Sequence, residues 1–289
     1  MTMTWQEEGR RYAIAPPNAD EDLQGRRLFV ADNDGDLEPA LEILSGPHSG
    51  LQEITATWHR PVRPLLVQRL ATEVVTELLD GVVRRSEFGW PQANIARALS
   101  WVGREVGRWW GPEWPLDGAS AEEKSYAAPD AEAVPFAWLG LALDTGDVEV
   151  TTYQDDAYFG LLFAPQVRDA LVDNDPRYFR LHESLPLPVG RIEQVTLAID
   201  RTTLDDPLSD VVLAEATLVV GGRLVPLVAA ENYGPDEWHR LDESVVVLRE
   251  PGAADRINWL PPQPARRQPS ANHVAPLDAV RYGHPRDGV

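Results

Sequence analysis

At 289 residues, with 43% apolar side chains and ten Trp, the chain can bury a sizeable core, which excludes wholesale disorder. A formal charge of −20 disfavours nucleic acid and anionic membranes as partners over most of the surface. The absence of Cys removes disulfides, thiolate metal sites and cysteine nucleophiles together.

The amino terminus, Met1-Thr-Met-Thr-Trp-Gln-Glu-Glu8, lacks the apolar stretch of a secretory signal. No apolar run approaches the roughly 18 residues that a membrane span needs. The expected compartment is the cytoplasm. The only Lys is Lys124, so lysine chemistry has a single candidate, and it lies in a polar linker.

Residues 1–60 read as a mixed region. A short strand is expected at Leu28–Val30, a short helix near Glu38–Leu44 and a strand near Gln52–Trp58. Residues 61–111 read as a helical hairpin. Leu66, Leu70, Val74, Leu78 and Val82 recur every four residues in Leu65–Arg85, and Val67, Val75 and Leu79 widen that stripe. After the turn at Ser86–Trp90, Pro91 suits a first helical position, and a second helix is predicted to run to Trp110, stopped by Gly111-Pro112. Residues 112–133 form an acidic linker.

From Val134 the apolar period changes to that of strands. Phe136–Leu143 and Val148–Tyr153 flank the turn signal Asp144-Thr-Gly-Asp147. Tyr158–Phe163, Glu193–Ile199 and Val245–Leu248 are further strands, and a helix is expected near Gln166–Val172. Val211–Val220 and Arg223–Ala229 are joined by Gly221-Gly222, and Pro226 places the second of these at an edge or a bulge. Residues 134–260 thus read as a mainly antiparallel β region, and 261–289 as a mobile tail containing Pro and Arg.

Charge is unevenly distributed. Residues 61–110 hold seven Arg against five acids, whereas 134–260 hold nine basic residues against 22 acids. On the predicted second helix Trp101 falls away from the Ile95/Leu99/Val102/Val106 stripe and is flanked by Arg97, Arg104 and Arg108. An indole among guanidinium groups suits an acidic or aromatic protein partner. Docking of the same face on the chain's own acidic β region would neutralise it internally.

Two other clusters carry chemistry. Asp32, Asp34 and Asp36 alternate like the opening of a calcium loop, but Leu37 and Ile43 stand where such a loop needs Gly and Glu, so an acidic turn is the better reading. The segment 231–244 gathers His239, Glu231 and Asp242, a base with orienting carboxylates, in what reads as a solvated loop. Ser244 lacks the Gly-x-Ser-x-Gly setting of a hydrolase nucleophile. Phosphate-loop, dinucleotide and His-Glu-x-x-His motifs are absent from the sequence.

The expectation from sequence is an α+β fold, a helical hairpin packed with a mainly antiparallel β-sheet region. The expected function is a non-catalytic cytoplasmic protein-interaction component (an adaptor, accessory subunit or inhibitor) that uses the Arg/Trp helix face or the acidic β region. It needs no cofactor, although calcium or another divalent cation at Asp32/Asp34/Asp36 is a competing idea. The alternative function is a metal-dependent or acid–base hydrolase built on the 231–244 loop. The oligomeric state is open.

Overall fold

The computed structural model describes residues 3–19, 21–32, 35–48, 51–79, 90–116, 125–128, 131–155, 158–165, 179–200, 211–234, 237–250, 253–254 and 257–259. The chain begins as an antiparallel meander of β1 (Met3–Glu7), β2 (Arg10–Ala15), β3 (Gln24–Asp32), β4 (Glu38–His48) and β5 (Leu51–Trp58). Two helices follow, α1 (Pro64–Leu78) and α2 (Trp90–Leu99). Then come β6 (Glu105–Glu113), β7 (Ala133–Phe136), β8 (Leu139–Leu143), β9 (Gly146–Asp155) and β10 (Tyr158–Ala164). The last strands are β11 (Arg180–His182), β12 (Gly190–Asp200), β13 (Leu213–Val220), β14 (Arg223–Gly234), β15 (Glu237–Leu248) and β16 (Asn258–Trp259).

One continuous path joins most of these strands, in the order β1-β2-β3-β4-β5-β12-β13-β14-β15-β7-β6-β8-β9-β10. Among the described pairings only β15–β16 is parallel. The meander of residues 1–60 is joined to the later β region through β5–β12, with Ala56 opposite Val195 and Ile54 opposite Leu197. The two stretches therefore share a sheet.

Alternation explains the layering. Ile43, Ala56, Val195, Leu218 and Val225 are successive register partners, and each is at most 1% exposed. A parallel row runs through Ile54, Leu197, Ala216, Leu227 and Val247. Full burial of each large side chain in these rows contributes about 1.5–3 kcal/mol. The buried stripe of α1 (Leu66, Val67, Leu70, Ala71, Val74, Val75) and α2 join the same core, with α1 against β3 and β4 and α2 against β10 and β12. Farther along, β9 and β10 fold back over β13–β15. β6 also pairs with β12, Gly190 opposite Val106, so β12–β15, β7 and β6 close on themselves, with α2 packed between β12 and β10.

The predicted balance of helix and sheet is therefore corrected: the fold is mostly antiparallel β, with two helices among the described residues. The helical hairpin fails because α2 stops at Leu99. Gly103 turns the chain with φ +82°, and Val106, Trp109 and Trp110 then run as strand β6. The Glu38–Leu44 helix is likewise strand β4, whose Leu41, Ile43 and Ser45 are buried in alternation. Phe136–Leu143 is split between β7 and β8 by Ala137-Trp138. Pro226 lies in an interior strand. It pairs with Thr217, and the ladder to β15 starts one residue later, at Leu227. The Gln166–Val172 helix, the end of the predicted first helix from residue 80, the Ser86–Gly89 part of the turn, residues 117–124 and 129–130 of the 112–133 linker and the 261–289 tail lie outside the described residues; the linker's two ends belong to β6 and β7.

Candidate functional site

The register isolates one part of the sheet. Pairing of β13 with β14 ends at Glu215–Val228, and pairing of β7 with β15 begins at Phe136–Val245. Beyond these points, residues Ala230–Gly234 and Glu237–Ser244 have their strand pairings only with each other and with β16, among the described residues. They form a two-stranded arm. Its root is apolar: Val228, Ala230, Val246 and Leu248 on the side away from the main core pack with Ala253, Ala254 and Ile257, and Trp238 joins them.

The arm is irregular where its chemistry is concentrated. Ala230 faces Ser244 but the next residue, Glu231, faces His239, so Arg240–Glu243 bulge out of the ladder. Arg240, 7% exposed, turns inward, pairs with Glu215 of β13 and donates to the Ala254 carbonyl at 3.2 Å. Trp114 Nε1 donates to the Glu243 carbonyl at 3.2 Å and ties the bulge to the end of β6. Ser244 is buried and donates its hydroxyl to the Ala230 carbonyl at 2.5 Å, a structural use of that oxygen.

What faces solvent is acidic and aromatic. The sequence of the arm and its tip carries Glu231, Asp236, Glu237, Asp242 and Glu243 against Arg240, whose charge is already engaged with Glu215. Glu237 and Glu243 are exposed and Glu231 is half-buried. Tyr233 is 55% exposed, its ring meeting that of His239 edge-to-face at 5.0 Å. His239 Nε2 lies 3.0 Å from Glu237 Oε1, while Nδ1 is buried with no hydrogen-bond partner among the described residues. Of the three groups read from sequence as an acid–base set, Glu231 and His239 are cross-strand neighbours, but the imidazole is held by Glu237. The Asp242 side chain is outside the described set.

The Arg/Trp face is dispersed. Trp101 is 4% exposed and packs edge-to-face on Phe163 at 4.9 Å. Arg97 donates to the Phe163 carbonyl at 2.6 Å, and burial pushes its guanidinium pKa below the ordinary value. Arg104 lies just before β6, where its backbone carbonyl accepts from Ile192 N–H at 2.8 Å. Arg108, on β6, is exposed and stacks over Trp110 at 4.8 Å. These four residues do not share a helix face, because the helix ends before three of them.

At the candidate cation loop, Asp32 pairs with Arg10 at 2.8 Å, Asp36 is exposed, and Asp34 lies outside the described residues. Among the described residues no group of three or more His, Asp or Glu side chains is placed to hold a metal.

One constellation had no local signal. Glu113, 1% exposed at the end of β6, accepts from Ala127 N–H at 3.1 Å, from Arg180 Nε at 2.9 Å and Arg180 Nη2, and lies 2.6 Å from His182 Nε2. Arg180 also stacks over Tyr126 at 4.6 Å. With three N–H donors and an imidazole nitrogen around its two oxygens, this carboxylate clamps β11 and the 125–128 segment to β6. Its partners lie 67 and 69 residues away in sequence.

No family model, curated protein or solved structure matches this chain.

Proposed function

We propose that the chain is a non-catalytic protein-interaction component of the cytoplasm, and that the β14–β15 arm is its contact surface for a basic protein partner. The observation that carries this reading is the solvent-facing side of the two-stranded arm that continues beyond the pairings with β13 and β7. It presents an exposed Tyr beside exposed carboxylates, while its one Arg is spent on Glu215 inside the fold. Exposed Tyr supplies contact area at low conformational cost, and carboxylates steer a cationic partner and set its register. The reading calls for no cofactor. Among the described residues no helix is long and apolar enough to cross a membrane.

The test is co-purification of the full chain from its own host, with Glu237→Lys/Glu243→Lys and Arg108→Glu compared with the wild type. The reading expects a stoichiometric basic protein that is lost from the double Lys variant, retained by Arg108→Glu, and released by rising salt. Retention by the double Lys variant would move the contact surface away from the arm.

A further inference from the structure

The sheet path ends on β10 and β1, and the two ends are treated differently. The outer edge of β10 is sealed by α2. Asn94 Nδ2 donates to the Leu161 carbonyl at 3.0 Å, Phe163 N–H donates to Asn94 Oδ1 at 2.7 Å, and Arg97 caps the Phe163 carbonyl. Asn94 is 2% exposed, so its amide takes the place of a further strand. The outer edge of β1 pairs with nothing among the described residues.

We infer that the free edge of β1 is where two copies of this chain pair, antiparallel and about a two-fold axis. Three observations select a second copy as the occupant. First, β1 is held ready in extended form: Trp5 stacks on Tyr12 at 5.0 Å, and Glu7 is bound by Arg63 at the start of α1. Second, the apolar layer stops unfinished there. Met3 is 60% exposed, Trp5 is half-buried against the core, and both lie on the same side of the strand. In a pairing centred on Trp5, the two indoles face each other and Met3 of each copy faces Glu7 of the other, so no like charges are opposed.

Third, charge permits contact here. The β1–β2 hairpin balances Glu7 and Glu8 with Arg10 and Arg11, in a chain whose total is −20. Two such chains repel over most of their surfaces but not at this edge. The pairing goes beyond the proposed function and does not depend on it, because β1 and the β14–β15 arm lie far apart in the strand order.

Sedimentation equilibrium on the full chain, from micromolar to several hundred micromolar, tests this. The expected result is a rise from one to two chain masses, with dimerisation favoured by added salt as the net repulsion is screened. Salt acts in the opposite sense on the basic-partner complex, so the two ideas fail separately. Thr4→Lys/Gln6→Lys, at exposed positions, should leave the circular dichroism and Tm unchanged and weaken dimerisation by roughly tenfold or more. If that double variant misfolds, Met3→Glu, which sets a second carboxylate opposite Glu7 of the other copy, reads the same equilibrium with the same expected direction. A wild type that stays monomeric throughout overturns the inference. So does a dimer equally strong in a folded variant. Outward-facing amides of β1, those not bonded to β2, found protected from hydrogen exchange in a monomer would show that the chain itself covers the edge, and would overturn the inference.

Discussion

Glu113 illustrates how much one buried side chain can organise. Its carboxylate gathers a backbone N–H, a guanidinium and an imidazole from segments that are not adjacent in sequence. Replacement by Ala frees Arg180, whose side chain is 45% exposed and can turn to water, but strands the buried Ala127 N–H. Glu113→Ala is therefore expected to lower stability by about 1–3 kcal/mol in urea unfolding, less than for a pair buried on both sides. No loss would mean that the clamp carries no stability. Glu7 adds a smaller effect with a defined sign. Its hydrogen bond from Arg63 holds its carboxyl below the ordinary carboxylate value. A depressed folded-state pKa contributes stability above the unfolded value and loses it as pH falls through the folded one. The stability difference between wild type and Glu7→Gln should be full at neutral pH and vanish in acid. A difference that persists unchanged in acid would contradict the assignment.

The elements show why a pattern legible in sequence can be assigned the wrong period. Ile95, Leu99, Val102, Val106 and Trp109 fit one helical stripe, yet all are buried in the fold with only the first two in a helix. What separates them is Gly103, whose positive φ and close approach to Trp58 are tertiary facts. A Cβ built there would lie 2.7 Å from Trp58 Cδ1. Gly103→Ala should cost about 1–2 kcal/mol from the backbone conformation alone, and more from the clash with Trp58, measurable as a drop in Tm. An unchanged Tm would mean that the turn relaxes freely. By contrast, the hairpins at Gly221-Gly222 and Asp144–Gly146 were legible, because their turn residues are local signals. Asn94→Ala tests the sealed edge of β10: it strands the Leu161 carbonyl and the Phe163 N–H, and should lower stability by about 2 kcal/mol. A change within a few tenths would show that water replaces the amide.

For the whole molecule, composition identified an acidic β-rich half but could not join it to the amino-terminal strands. The β5–β12 pairing closes a gap of well over 100 residues and depends on two separate alternating patterns meeting in register. The candidate site was legible as a cluster, since 231–244 is dense in ionisable groups. Its form was not. Arg240 turning to Glu215 and Trp114 reaching Glu243 make a tethered two-stranded arm out of what reads as a solvated loop. At this scale the net charge of −20 gives the two proposed associations opposite salt dependence: a basic partner is expected to be released by salt, and self-pairing at β1 to be strengthened by it.

The most direct measurement is zero-length carboxylate–amine cross-linking of the full chain with the protein that co-purifies with it, read by mass spectrometry. Links are expected from Glu231, Glu237 and Glu243 to Lys residues of a basic partner. Links confined to carboxylates elsewhere on the chain, or a chain that emerges from its host with no partner, would contradict that expectation.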